Sequence, residues 1–212
     1  MFKPPSYYDA DYFLRGQEKG VSLLQDYRWL PEVTIRLAMA IIDMAAIPRE
    51  QPVLDYGCAT GYLVKALRLL HRDAYGIDHS GWAVANADLS VRDYIRMCRD
   101  GYQLPFNSIR FHTIIAKDVL EHCLETQVEQ VLRRLRDKGD QLIMIVPLGD
   151  GYHYIIPYME EEPDHVVRQK VEWWRSKAEY AGWTPQVVTN RVEGIKDQWV
   201  HYPNGHLILY AR

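Results

Sequence analysis

Two short motifs hold the residues best suited to binding a cofactor. Residues 53–62 read Val-Leu-Asp-Tyr-Gly-Cys-Ala-Thr-Gly-Tyr, so an apolar run ends in the pattern Asp-x-Gly-x-x-x-Gly. The helical spacing that follows is set by Leu63, Ala66, Leu67 and Leu70. This pattern places Gly57 and Gly61 on a strand-to-helix turn, where the lack of side chains lets the backbone approach a ligand. The motif therefore predicts a loop for a nucleotide-type cofactor.

The second motif is Tyr75-Gly76-Ile77-Asp78, a short strand that ends in an acid 23 residues after Asp55. A carboxylate at the end of the second strand of a doubly wound sheet can accept hydrogen bonds from vicinal ribose hydroxyls. Both dinucleotides and S-adenosylmethionine carry such a ribose, so Asp78 does not discriminate between them. A structural alternative is that Asp78 caps the helix that begins near Ser80.

Length, composition and charge narrow the class of protein. The chain has 212 residues, 48% of them hydrophobic, and this length and composition favour one domain with a sizeable core. The formal net charge of -3 gives no general reason to expect nucleic acid as a partner. The longest apolar stretch, 35–47, is too short to cross a bilayer. Three widely spaced cysteines and no apolar leader predict a soluble, cytoplasmic protein.

The elements that must position these motifs alternate along the chain. Pro31 opens a helix and Pro48 closes it. Strands are predicted at 52–56, 74–78, 93–97, 111–117, 140–146, 185–191 and 206–211. Helices are predicted at 61–71, 80–88, 122–136 and 166–181. This order predicts a series of βαβ units.

Four motifs in order resemble class I S-adenosylmethionine-dependent methyltransferases, in particular a small-molecule, type 11-like branch. They are residues 55–61, Gly76-Ile77-Asp78, Arg99-Asp100-Gly101-Tyr102-Gln103-Leu104-Pro105-Phe106 and Asp118-Val119-Leu120-Glu121-His122. The resemblance implies an α/β fold with a Rossmann-like, doubly wound, seven-stranded sheet, mostly parallel with an antiparallel last strand and helices on both faces. It also implies one domain: a cap and helix at 1–48, a cofactor-binding half at 49–147, and a lid and substrate-side half at 148–212.

The same resemblance assigns roles to matched residues. Asp55 and Gly57 would lie against the methionine end of S-adenosylmethionine, Asp78 would bind the ribose, and Asp100 the adenine amino group. Lys117, at the end of the fourth strand, would lie beneath the sulfonium. The candidate cofactor-binding residues are Asp55, Gly57, Cys58, Ala59, Gly61, Asp78, His79, Asp100, Gly101, Lys117 and Tyr27. Ala59 departs from the family, which has glycine there, and adds a methyl group to the loop.

Methyl transfer to a hydroxyl requires alignment, exclusion of water and removal of a proton near the time of attack. His165 is the first candidate for the base and His122 the second, with Asp164 or Glu121 orienting an imidazole. A lid from Pro147 to Pro163 would close over the acceptor. Its tyrosines Tyr152, Tyr154 and Tyr158 are candidates for the pocket walls.

Structural alternatives stand beside these roles. Glu121 and His122 can simply begin a helix, with Glu121 favoured at its positive end. The acidic run 160–162 reads as a solvated face and not as a metal site, because adjacent side chains diverge. No metal is expected. The dense aromatic residues of 1–30 predict a cap over the cofactor, in which Tyr27 is a candidate contact.

These inferences give a methyltransferase that acts on a small-molecule acceptor, at oxygen, in bacterial saccharide or secondary metabolism. S-adenosylmethionine is the expected cofactor and S-adenosylhomocysteine the product, with no nucleic acid or membrane partner and a monomeric or homodimeric state. Nitrogen or carbon methylation, a non-catalytic module that binds the cofactor, and a nicotinamide dehydrogenase remain alternatives.

Overall fold

A seven-stranded sheet lies at the centre of the computed structural model, which describes residues 3–98, 104–196 and 200–212. Its strands are β1 Pro52–Tyr56, β2 Asp73–Asp78, β3 Ile95–Met97, β4 Phe111–Lys117, β5 Gly139–Pro147, β6 Pro185–Thr189 and β7 His206–Ala211. The helices of these ranges are α1 Ala10–Leu14, α2 Gly16–Lys19, α3 Pro31–Ala45, α4 Tyr62–Leu69, α5 Gly81–Ala85, α6 Glu125–Lys138 and α7 Val171–Tyr180. Among them, no helix is both long and apolar enough to span a membrane.

The strand order β3-β2-β1-β4-β5-β7-β6 confirms the predicted doubly wound topology. The first five strands in this order pair in parallel, whereas β7 is antiparallel to both β5 and β6. In a sheet of this order the direction of winding reverses between β1 and β4, and the crevice beyond the carboxyl ends of those strands is where ligands bind.

Two apolar layers bury the two faces of the sheet. Ile114 and Ile115 are neighbours on β4 and are fully buried on opposite faces, as the alternation of a strand requires. Ile114 belongs to the layer formed with α6 and α7, and Ile115 to the layer formed with α3 and α4. The predicted helices on both faces are therefore confirmed.

Two helices start later than their sequence patterns predict. After β4, residues 120–122 form a short 3-10 turn and Cys123 is extended, so α6 begins at Glu125 instead of 122. The N–H groups of Val166 and Val167 both donate to the backbone oxygen of Glu121, at 2.9 and 3.2 Å. These bonds hold this segment out of helical conformation, and α7 begins at Val171 instead of 166.

Candidate functional site

The turn between β1 and α4 is fixed to the end of β2 by backbone hydrogen bonds. The N–H groups of Gly57 and Cys58 both donate to the carbonyl of Ile77 at 2.9 Å, and Gly61 N–H donates to the carbonyl of Cys58 at 2.9 Å. The side chain of Asp78 completes this attachment. Its Oδ2 accepts from Ala59 N–H and its Oδ1 from Ser80 N–H, both at 2.8 Å.

The two glycines of the loop are required by packing as well as by backbone conformation. Gly57 and Gly61 have φ of 81° and 85°, in the left-handed region that favours glycine. A Cβ at Gly61 would lie 2.2 Å from Ile95 Cδ1, and one at Gly57 would lie 2.7 Å from Val119 Cγ2. Ala59 also has a left-handed φ of 49°, so the family's glycine at this position has a conformational reason.

A cavity of about 390 Å³ opens beside this loop, at the carboxyl ends of β1, β2 and β4. Its volume falls in the range of small-molecule sites. The structure brings eight predicted site residues to its wall: Tyr27, Gly57, Ala59, Asp78, His79, Lys117, His122 and His165. Asp100 and Gly101 lie outside the described residues.

Three further predicted cofactor residues do not line the cavity: Asp55, Cys58 and Gly61. Cys58 Sγ lies only 2.6 Å from where a Cβ of Gly76 would stand, so the thiol packs against β2. Asp55 is 5% exposed, and burial raises its pKa to about 7 against the attraction of Lys117. These three residues therefore contribute to the packing of the loop and not to the wall of the cavity.

Residues before α3 form one side of the cavity. Tyr8, Tyr12 and Phe13 are buried and line it, and Phe13 stacks on Trp82 of α5 at 5.2 Å between ring centroids. The carbonyl of Tyr8 accepts from Ser80 Oγ–H. This segment is thus attached to the start of α5, which follows Asp78.

Two lysines share one carboxylate at the end of β4. Lys117 Nζ donates to Asp118 Oδ2, and Lys196 Nζ donates to the same oxygen at 2.8 Å. Burial opposes the charge of Lys117, but the adjacent Asp118 raises its pKa. Burial lowers the pKa of Lys196, which the carboxylate of Asp118 only partly offsets.

Beside them lies a cluster of two histidines and two carboxylates. His122 Nδ1 is 2.9 Å from Asp164 Oδ2, although this contact lacks the alignment of a full hydrogen bond. His165 Nε2 is 4.0 Å from Glu121 Oε1, and the two imidazole rings are 4.8 Å apart. Ligand atoms of Glu121, His122 and His165 all lie within 4.8 Å of one another. The predicted partnership of histidines with Asp164 and Glu121 is thus present in the geometry.

Burial and mutual attraction set different charges on this cluster. Burial disfavours the charged form of His122, but the neighbouring Asp164 raises its pKa to about 9. Burial and repulsion by His122 lower the pKa of His165 to about 3. Burial raises the pKa of Glu121 to about 7, since that carboxylate is fully enclosed.

Loops contribute residues that the sequence patterns missed or misplaced. Lys196 lines the cavity although it is not among the residues predicted for the site. Glu162 was predicted to be solvated, but it is 5% exposed and lines the cavity, because its Oε2 accepts from Leu23 N–H at 2.6 Å. Of the lid tyrosines, Tyr158 lines the cavity, whereas Tyr152 is 82% exposed and Tyr154 donates to the carbonyl of Val167 at 3.0 Å. Tyr152 and Tyr154 are therefore not wall residues.

Comparison with known proteins gives a consistent result. A family model described as a methyltransferase domain matches residues 53–139, from β1 to the start of β5. No curated protein sequence matches the chain.

Solved structures share the fold at low sequence identity. One is a chain of the complex between the Haloferax volcanii Trm112 methyltransferase activator and a methyltransferase, with a TM-score of 0.70, 15% identity and coverage of 99% of this chain and 96% of that chain. Another is magnesium protoporphyrin IX methyltransferase from Synechocystis PCC 6803 with bound S-adenosylhomocysteine, with a TM-score of 0.63, 16% identity and coverage of 97% and 90%. The [4+2]-cyclase SpnF matches with a TM-score of 0.63, 17% identity and coverage of 87% and 82%. The fold thus accommodates more than one chemistry.

Proposed function

We propose that this chain, a class I S-adenosylmethionine-dependent methyltransferase, transfers the methyl group to a hydroxyl of a small molecule bound in the cavity. The observation that carries the proposal is the convergence of the cofactor loop, Asp78 and the histidine cluster on one cavity. Magnesium protoporphyrin IX, glycopeptide and calicheamicin-pathway methyltransferases are among the structures with this fold, which favours a small acceptor over nucleic acid.

The residues at the cavity fit the cofactor. An ionised carboxylate offers about four acceptor sites, and the N–H groups of Ala59 and Ser80 each donate to one oxygen of Asp78. Both oxygens can accept further bonds, which suits ribose hydroxyls. Tyr8, Tyr12 and Phe13 provide apolar area, and Gly57 and Ala59 bring backbone to the wall. When bound, S-adenosylmethionine supplies an electrophilic methyl group on a sulfonium.

The chain's own residues have three tasks in this reaction. Residues before α3 exclude water from the cavity, and Asp78 fixes the orientation of the bound ribose. His165 accepts the proton of the acceptor hydroxyl. The low pKa of His165 keeps its imidazole neutral and able to accept a proton, whereas His122, whose Nδ1 lies 2.9 Å from Asp164 Oδ2, is held in its protonated form. Glu121, beside Nε2 of His165, stabilises the proton that arrives.

Calorimetric titration with S-adenosylmethionine and S-adenosylhomocysteine tests the first half of the proposal. We expect saturable binding by the wild type and its loss in Asp78→Ala, whereas Asp93→Ala, an exposed acid on the turn before β3, retains it. Folded wild-type protein that binds neither compound would contradict the proposal.

Formation of S-adenosylhomocysteine in the presence of phenols, catechols, sugars and amines tests the second half. Loss of general-base catalysis costs about 10²–10⁴ in rate, so His165→Ala should lower kcat by that order and leave cofactor affinity unchanged. His153→Ala, an exposed histidine of the lid, is the matched control. Full turnover by His165→Ala, or turnover with amines alone, would refute the assignment.

A further inference from the structure

Glu121 occupies an unusual position for a carboxylate. It is fully buried and lies at the wall of the cavity, and neither of its oxygens has a hydrogen-bond partner among the described residues. A buried ionic group without a partner is costly and is normally paired or bound to a metal ion. Of the nearby cationic groups, Lys117 and Lys196 are both engaged by Asp118, and His122 lies against Asp164.

The neighbours of Glu121 are nitrogen ligands. One ligand atom each of Glu121, His122 and His165 lies within 4.8 Å of the other two. Ions with metal–ligand bonds of about 2.0–2.2 Å hold neighbouring ligand atoms roughly 3–3.5 Å apart. The side chains therefore have to close inward by on the order of 1 Å, which rotation about side-chain bonds can supply.

A second carboxylate stands behind this set. Asp164 is 1% exposed, and its Oδ2 lies 2.9 Å from His122 Nδ1. Ligating histidines almost always place their second ring nitrogen against a carboxylate or carbonyl, which fixes the tautomer and the direction of the ring. The contact leaves Nε2 of His122 as the atom for an ion.

We propose that Glu121, His122 and His165 bind one divalent first-row transition metal ion at the wall of the cavity. Two imidazoles and one carboxylate suit such an ion and leave coordination positions open. A hydroxyl of the acceptor can occupy an open position, where the charge of the ion favours its ionised form. With the ion bound, His165 is a ligand and no longer the proton acceptor.

The catalytic consequence rests on the proposed function, whereas ion binding does not, so the two are tested separately. Chelator-treated full-length protein is titrated with Mn²⁺, Co²⁺ or Zn²⁺ alone by calorimetry, and Co²⁺ is also followed by its visible absorption. We expect saturation at one ion per chain and imidazole-bound Co²⁺ bands. Asp164→Asn should weaken binding about 10–100-fold, and Glu121→Gln and His165→Ala should abolish it.

His153→Ala is the matched control and should bind the ion as the wild type does. The circular dichroism spectrum of each variant verifies that it is folded, independently of cofactor binding. Folded wild-type protein that binds no ion, or ion binding that survives in both Glu121→Gln and His165→Ala, would overturn the site. If the site binds an ion but removal of the ion by a chelator leaves turnover unchanged, the role of the ion in the reaction is refuted. Absence of turnover with every acceptor tested, whether the ion is present or not, would count against the proposed function alone.

Discussion

Substituting Gly61 by alanine separates two reasons for the glycine in the cofactor loop. The sequence motif attributes Gly61 to close approach of a cofactor. The structure instead places it away from the cavity wall, with a left-handed φ of 85° and Ile95 Cδ1 only 2.2 Å from where a Cβ would lie. The variant should therefore lose stability and keep its affinity for S-adenosylmethionine.

The expected magnitude follows from two terms. A left-handed conformation costs an alanine roughly 1–2 kcal/mol, partly offset by about 0.4–1 kcal/mol from the restricted unfolded chain. Overpacking against a buried side chain costs about 1–3 kcal/mol, and Ile95 is 3% exposed. The free energy of unfolding should thus fall by about 1–5 kcal/mol, which for a chain of this size lowers Tm by on the order of 10 °C.

Gly20→Ala provides the control, because Gly20 also has a left-handed φ of 64° but nothing lies within 4 Å of its added Cβ. Urea unfolding followed by circular dichroism gives both free energies. Ile95→Val removes the Cδ1 atom that clashes, so the double variant Gly61→Ala/Ile95→Val should be more stable than the sum of the single changes predicts by about 1 kcal/mol or more. Equal destabilisation by Gly61→Ala and Gly20→Ala, with additive effects of Ile95→Val, would refute the packing argument.

Three further substitutions test the cap, the core and the ion pairs. Phe13→Ala removes the ring stacked on Trp82 and should destabilise the protein by about 3–5 kcal/mol. It should also weaken the binding of S-adenosylhomocysteine, measured by calorimetry below the melting temperature. Unchanged affinity would mean that the segment before α3 does not close the cavity. Trp183→Phe loses the bond from Nε1–H to the Leu132 carbonyl and should cost about 1 kcal/mol in urea unfolding, an effect contradicted by an unchanged midpoint. Burial opposes the charge of Asp88, but Lys65 and Ser90 lower its pKa, so the stability that wild type has over Asp88→Asn, about 1 kcal/mol at pH 7, should begin to fall as pH drops below the unfolded pKa of about 3.9 and disappear only below the lower folded pKa. A difference at pH 2.5 as large as that at pH 7 would contradict this.

The fold could be predicted because its elements have short-range signatures. Apolar runs such as Val53-Leu54 and the helical spacing after Tyr62 depend on residues close in sequence, and the expected doubly wound sheet of seven strands is observed. The first residues of α6 and α7 could not be predicted in the same way. They depend on hydrogen bonds between Glu121 and Val166 or Val167, more than 40 residues apart.

The same distinction between short-range patterns and long-range contacts applies to the residues of the site. Residues at the carboxyl ends of strands, such as Asp78 and Lys117, reach the cavity because sheet order places those ends together. Glu162 and Lys196 lie in loops without periodicity, so no pattern indicated that they face inward. Glu162 is directed there by the N–H of Leu23, a contact across 139 positions.

Glu121 contributes both to the fold, through its backbone, and to the site, through its side chain. Its backbone oxygen accepts the N–H groups of Val166 and Val167 and so fixes the segment that carries His165 beside the Glu121 side chain. Adjacent residues diverge on a helix or strand, which argued against metal ligands in the acidic run 160–162. Glu121 and His122 are adjacent as well and lie in a 3-10 turn, as Glu160 and Glu161 do. What distinguishes the pair is that their ligand atoms and one of His165 lie within 4.8 Å of one another. This cluster depends on the hydrogen bonds from Val166 and Val167 to Glu121, a long-range contact that the spacing of residues in the sequence does not reveal.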